Sequence, residues 1–372
     1  MRLFLSTKFV TFLKNNYWPI LIFLASRLVV LGAFLFTDAY SIGHGSLTQW
    51  DGKVYLDIAQ RGYTFIGDIS DPLNYVGANS HIAMFPLFPM LIRLFSETFR
   101  LSLLNSALFI NLIFGVVSSV LLWHIVKRQY SEQVARSSVM LFSFFPYSVF
   151  LSMPYTESLA FLLLFAVLYS LSLDKYILSA VTLSLLLVTR IPGFIILPIV
   201  LIFWLKKGLP IVKILLLLFL SLIPFLFYLL FQHQAYGTPL AFMIAQNINW
   251  HHEATWPWIG FKNFWDYVVS SSSIMWRVDF AWLCIMTATI LLSLRKVPWH
   301  IVAFSIGVII LALSQTYILG MGRYLMTVIT FYIFWGKFLE DKPNVLYVIS
   351  VAVMSAWLFL NSQLIYLSKM IF

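Results

Sequence analysis

Charge is what this 372-residue sequence has least of: Asp, Glu, Lys and Arg make up 10% of it, against 61% apolar residues. An ordinary soluble domain is about 45–50% apolar and about 25% charged, so a water-soluble globular class is excluded. Cysteine is nearly absent. The single one, Cys284, lies in an apolar run, which leaves no disulfide framework and no cysteine-based metal site, and says nothing about compartment. Internal repeats, low-complexity tracts and Pro/Gly-rich linkers are also missing, so the chain reads as one domain over residues 1–372. With no repeat and no inverted pair of broken helices, a secondary transporter is disfavoured.

What the sequence has in their place is apolar length. About eleven apolar spans stand out, near 18–36, 101–126, 137–151, 157–173, 176–190, 193–205, 211–231, 278–294, 298–317, 324–338 and 344–367. Most are long enough to cross a hydrocarbon layer of about 30 Å. Several are short (137–151, 176–190 and 193–205) and are expected to be tilted, bent or re-entrant. Arg2, Lys8 and Lys14 precede the first run as in a signal peptide. That run is long, is interrupted by Arg27 and lacks a small-x-small cleavage site, so it reads as a retained helix. The expected class is all-α, a polytopic transmembrane helical protein.

The formal net charge of +10 raises the question of nucleic acid. The bases lie beside apolar runs, where topology and anionic headgroups account for them, and no nucleic-acid partner is expected. With the N-terminus in the cytoplasm, 14 of the 24 bases fall in short inside segments, from Arg2 through Lys127, Arg128, Lys206 and Lys207 to Lys342. The two long outside loops, about 38–80 and 232–277, hold only Lys53, Arg61, Lys262 and Arg277. The positive-inside rule therefore supports this orientation. The acids are biased the other way. Asp38, Asp51, Asp57, Asp68, Asp71, Glu157, Glu253, Asp266 and Asp279 lie in or beside outside segments, which points to chemistry on the non-cytoplasmic face.

Five stretches on that face carry candidate chemistry. In Gln49–Tyr63, Trp50, Val54 and Ile58 recur at i, i+4 and i+8 with Tyr55 beside them, an apolar stripe suited to the membrane interface. Asp51 either caps this short helix or serves as a catalytic carboxylate, roles that do not exclude each other. Gly62 is placed to end the helix, and Asp57 faces elsewhere. In His81–Pro89, two prolines three apart break an apolar segment. It is a packing wedge, or the wall of a lipid-binding groove with His81 at its mouth. In the turn Phe145–Ser158, Thr156 is placed to cap the next helix. Glu157 either sits in its first turn for the dipole or is a functional acid at membrane depth. Arg190 and Arg323 lie at outer ends of spans beside Gly or Pro, where they snorkel to headgroups or bind phosphate bidentately. In Gln246–Trp258, Trp250, His251 and His252 suit sugar stacking and hydrogen bonding, or form part of an aromatic belt. His251-His252-Glu253 lacks zinc spacing, so no metal and no other cofactor is expected.

Taken together, Trp50-Asp51-Gly52 with Tyr55, Ile58-Ala59 and Gly62-Tyr63; Phe85–Pro89; Pro154–Ser158; Thr189-Arg190 with Gly193; and Arg323-Tyr324 resemble the ordered motifs of PIG-V-like mannosyltransferases. The resemblance runs from about residue 50 to 325. The eukaryotic member adds the second mannose in GPI-anchor synthesis, and the family belongs to the GT-C glycosyltransferases. The resemblance implies a multi-helix membrane enzyme whose donor is a polyprenyl- or dolichyl-phosphate sugar, mannose above all, and whose acceptor is a lipid or glycan. It implies a catalytic base in the first non-cytoplasmic loop, where the matching position is Asp51. Arg323 first, and Arg190 second, are then expected to hold the donor phosphate. Tyr55, His81, Glu157, Trp250, His251, His252 and Tyr324 are expected to line the sugar or acceptor pocket. The site would face the periplasmic or extracellular side of a prokaryotic plasma membrane, or the lumen of a eukaryotic endoplasmic reticulum. The alternative is a transporter or flippase of a lipid-linked or anionic substrate, with Arg27 as its main mid-span ionisable group.

Overall fold

The computed structural model describes residues 2–40, 47–64, 77–318 and 320–367. Asp68 and Asp71, counted among the outer-loop acids, lie outside the described residues. Within them the chain is helical, and one isolated bridge between Ala254 and Gln315 stands where a sheet would be. The helices follow as α1 (Arg2–Tyr40), α2 (Asp51–Arg61), α3 (Leu87–Phe99), α4 (Leu103–Lys127), α5 (Glu132–Ser143), α6 (Glu157–Ser172), α7 (Tyr176–Leu187) and α8 (Gly193–Lys206). They continue as α9 (Ile211–Tyr236), α10 (Ala241–Trp250), α11 (Pro257–Ser270), α12 (Ile274–Ser293), α13 (Trp299–Leu313), α14 (Met321–Leu325), α15 (Ile329–Glu340) and α16 (Asn344–Tyr366). Short 3-10 helices occupy Gly77–Ala83 and Pro146–Ser152.

Five helices, α1, α4, α9, α12 and α16, are long and apolar enough to cross a membrane, and the chain is an integral membrane protein. α5 and the 3-10 helix Pro146–Ser152 add a sixth crossing if taken as one broken span, bent by 74°. α6, α7, α8 and α13 are apolar but only 12 to 16 residues long. At 1.5 Å per residue they reach about 18–24 Å, short of a full crossing. The apolar runs sit where the sequence placed them, but they do not make eleven full-length crossings. Short helices lean on long ones, α6 on α4 and α7 on α9, or on each other, α8 on α13. α1 and α4 approach closely because Gly115 has no Cβ; one would stand 2.1 Å from the Phe23 ring.

The break after α5 is where the sequence puts Pro146, which cannot donate the next helical hydrogen bond. A helix end leaves carbonyls unpaired. Arg27 of α1, buried at 9% exposure, takes them up. It donates to Ser143 O and Ser148 Oγ at 2.8 Å each, to Ser152 Oγ at 2.9 Å, and to Ser148 O. All these acceptors are neutral and all belong to the break. Arg27, the group a transport path would have used, is a staple between α1 and the bent span.

Two capping expectations are corrected. Trp50, not Asp51, occupies the N-cap of α2, at φ 45° and ψ −125°, and makes no side-chain cap. Asp51 is the first helical residue. Thr156 precedes α6 in helical backbone without bonding its start; its hydroxyl faces Tyr55. Gly62 does end α2, its N–H on Ile58 O. After the Pro86 break, α3 starts at Leu87 and takes Pro89 into its first turn.

Candidate active site

Five connections between helices converge on one cavity of about 140 Å³. α2, after α1, brings Trp50, Asp51 and Tyr55. The turn before α6 brings Phe150, Tyr155 and Thr156, the turn between α7 and α8 brings Thr189–Pro192, and α10 with its exit brings Gln246, Trp250 and His252. The segment after α13 brings Gly320, Arg323 and Tyr324, while Ala83, Met84 and Phe85 form an apolar wall.

Local packing explains why these groups meet. α2 lies tightly on the turn Met153–Thr156: a Cβ on Gly52 would stand 2.9 Å from Pro154. Tyr155 donates its hydroxyl to Gln49 O at 3.0 Å, and Asn111 of α4 holds Tyr155 O at 3.0 Å. The α10 exit is sewn to the α13 exit by Thr255 N–H to Ser314 O and Thr316 N–H to Glu253 O, both at 3.0 Å. Thr316 Oγ1 also donates to His251 O at 2.8 Å.

Arg323 is the hub. Its Nη1 donates to Asp51 Oδ2 at 2.8 Å and its Nε to Glu157 Oε1 at 2.7 Å. Its guanidinium lies 5.0 Å from the Phe150 ring centre and 4.8 Å from that of Tyr155, an aromatic clamp. Nη2 makes no hydrogen bond to the described residues and remains for a ligand. Burial works against the charge of Arg323, but the Glu157 and Asp51 carboxylates outweigh it and hold its pKa above the usual range. Arg190 forms an ion pair with the same Glu157 Oε1 without the alignment of a hydrogen bond. Glu157, 1% exposed, is thus the shared counter-ion of two arginines.

Asp51, Arg190, Arg323, Tyr55, Tyr324, Trp250 and His252 all line the cavity. Tyr55 and Tyr155 keep their phenolic protons: burial, and then the nearby Asp51 charge, push both pKa values up. Tyr324 accepts from Gln315 Nε2 at 3.2 Å. Three expected pocket residues stand elsewhere. Glu157 lies behind the arginines, not at the cavity wall. His81 is 3% exposed, beside the Tyr63 ring, and is not at a groove mouth. His251 ends α10 in the left-handed region, at φ 53°, and is exposed, so that only His252 turns inward. Phe150 and Tyr155 were not anticipated as lining residues, although the aromatic-rich turn between two prolines held the signal, while Gln246 opens the stretch read for sugar binding. Asp57 pairs with Arg61 on the exposed face of α2. Among the described residues no three of His, Cys, Asp and Glu gather as a metal site.

His252 Nδ1 lies 3.4 Å from Gln246 Oε1. Burial pushes its pKa down to about 4, and the opposing pull of Asp51 is weaker. An unfolded histidine titrates near 6.5. Between those values the unfolded chain binds more protons than the folded one, so stability is lost as pH falls from 6.5 toward 4. The expected contribution is at most about 3 kcal/mol. Thermal midpoints in detergent at pH 7.5 and 5 check it: His252→Gln should flatten the acid slope, and identical slopes in wild type and variant would refute it.

No protein-family model and no curated protein matches the chain. Solved structures do. ArnT from Cupriavidus metallidurans, bound to undecaprenyl phosphate, superposes with a TM-score of 0.59 at 11% identity, over 92% of this chain and 64% of that one. The Archaeoglobus fulgidus oligosaccharyltransferase, in complex with Zn and sulfate, superposes at 0.50 with 13% identity, over 93% and 53%. Its apo form gives 0.50 at 12% identity, over 95% and 56%. The chain spans less than two thirds of the length of each. At such identities the likeness shows the fold alone, a helical membrane architecture shared with ArnT and the oligosaccharyltransferase.

Proposed function

We propose that the protein is an inverting glycosyltransferase that moves a sugar from a polyprenyl-phosphate donor to a hydroxyl of a lipid-linked or glycan acceptor. The observation that carries this reading is the contact of Asp51 with Arg323 at the cavity, a carboxylate and a guanidinium suited to phosphate side by side, on a fold similar to that of ArnT bound to undecaprenyl phosphate.

The acceptor hydroxyl attacks the anomeric carbon as Asp51 takes its proton. The bond from that carbon to the phosphate oxygen breaks, and the lipid phosphate leaves with the electron pair. It is already a good leaving group, so the site must stabilise its charge more than protonate it. Arg323 does this through Nη2 and, once Asp51 releases it, Nη1; Arg190 is the second cation. Trp250 offers an apolar ring face to the sugar, with His252 and Tyr324 beside it. The wall of Ala83, Met84 and Phe85 suits the first isoprenyl units. The PIG-V-like motifs favour mannose. The bias of the bases toward the short inside segments supports a site on the non-cytoplasmic face.

The test is product analysis. Purified protein is incubated with polyprenyl-phosphate mannose, polyprenyl-phosphate glucose and lipid acceptors, and products are read by mass spectrometry and anomeric NMR. Transfer with inversion is expected, mannose ahead of glucose. A folded protein that transfers neither sugar would end the reading.

A further inference from the structure

Asp279 lies on α12, away from the cavity and outside the chemistry proposed above, yet it is tied to the segment that carries Arg323. The Tyr147 hydroxyl donates to Asp279 Oδ1, and the backbone N–H of Gly322 points at the same carboxylate. Gly322 is the residue immediately before Arg323. A Cβ there would lie 2.1 Å from the Tyr147 ring, so the ring and the backbone are in direct contact. Three elements therefore close on one point: the 3-10 helix Pro146–Ser152, α12 and α14. The same 3-10 helix supplies Phe150, half of the clamp on Arg323. α14 is only five residues long and has no capping side chain of its own. A helix that short does not hold its position by itself.

The geometry points to Asp279 as a positioning residue: through Gly322 and Tyr147 it fixes the place and direction of Arg323 in the cavity. A carboxylate is otherwise an expensive group on a spanning helix. Here it gathers a phenol and a backbone amide that no other group among the described residues is recorded to satisfy. The inference rests on the transferase reading for its kinetic consequence, but not for its structural one.

Hydrogen exchange read by mass spectrometry, with steady-state kinetics beside it, tests both. In Asp279→Leu, exchange over residues 320–326 should rise roughly 3- to 10-fold, as the loss of one buried hydrogen bond is worth, while α4 and α16 stay unchanged. kcat/KM for the lipid-phosphate donor should fall roughly 10- to 100-fold. Asp279→Asn, which keeps one carbonyl oxygen to accept from Tyr147, should restore part of both. In an Arg323→Gln background, Asp279→Leu should cost nothing further in kcat/KM. Unchanged exchange at 320–326, or an equal rise across all helices, would overturn the inference. If Asp279→Leu does not fold, Tyr147→Phe removes one of the two donors and is read by the same criteria. A wild-type protein that transfers no sugar while the exchange pattern holds would defeat the transferase reading and leave the positioning role standing.

Discussion

Asp51→Asn should lower kcat by roughly 10²- to 10⁴-fold, the range a general base contributes. The substitution keeps the shape of the side chain and its place at the start of α2. Arg323 retains Glu157 as counter-ion, so the fold should survive, with a thermal midpoint within a few degrees of wild type. Donor binding should be unchanged or tighter, since Asp51 no longer competes with the phosphate for Nη1. This split, lost turnover with intact binding, separates a base from a structural acid. Asp57→Asn is the control: it removes an exposed i,i+4 pair with Arg61, worth about 0.3–0.5 kcal/mol, and should leave turnover untouched. A well-folded Asp51→Asn protein with near-normal turnover would remove Asp51 from the mechanism.

Glu157→Leu should be the most destabilising single change in the site. It leaves Arg190 and Arg323, both largely buried, without the carboxylate they share. Stripping one partner from a buried ion pair costs about 3–5 kcal/mol, mostly as the penalty of the stranded charge. The cost here falls at the high end because two cations are stranded, although Asp51 still holds Arg323. The double variant Glu157→Leu/Arg190→Leu should be more stable than Glu157→Leu alone, since it removes one stranded charge and fills the space with apolar atoms. Thermal unfolding in one detergent, on both variants and wild type, decides this. A Glu157→Leu midpoint equal to wild type would mean the arginines are solvated in a way the geometry does not indicate.

The sequence displayed its charges well because charge is scarce in it. Asp51, Arg190 and Arg323 stood out as ionisable groups in an apolar chain, and all three reach the cavity. The relation among them was not legible. Residues 51, 157, 190 and 323 meet through long-range packing, and nothing local tells Glu157 that its partners lie 33 and 166 positions on. The histidines show the limit of local pattern. His81, His251 and His252 looked alike in composition. A 3-10 turn buries the first, and a left-handed residue at the end of α10 sends the other two in different directions. Hydropathy located the apolar runs, because burial from water is written residue by residue. It could not give the number of crossings, because a 12-residue helix packed on a longer neighbour is as apolar as one that spans. The bend after α5 falls in the short run 137–151, which was expected to be tilted, bent or re-entrant, but its partner, Arg27, lies more than a hundred residues away.

Two carboxylates and two guanidiniums, with His252 neutral, leave the resting site without net charge. An anion therefore meets no standing attraction at its entrance; it can take Nη2 of Arg323 outright, but it gains Nη1 only by exchange with Asp51. Free orthophosphate has little to offset that exchange. A lipid phosphate does, because each methylene buried along the apolar wall contributes about 0.8 kcal/mol. Discrimination between a membrane-borne donor and the phosphates dissolved in the water above it then comes from the neutrality of the site. On the proposed transferase reading, Asp51 would become available to an acceptor only after a donor has taken its arginine, so the order of events would be set by electrostatic competition and would need no moving lid.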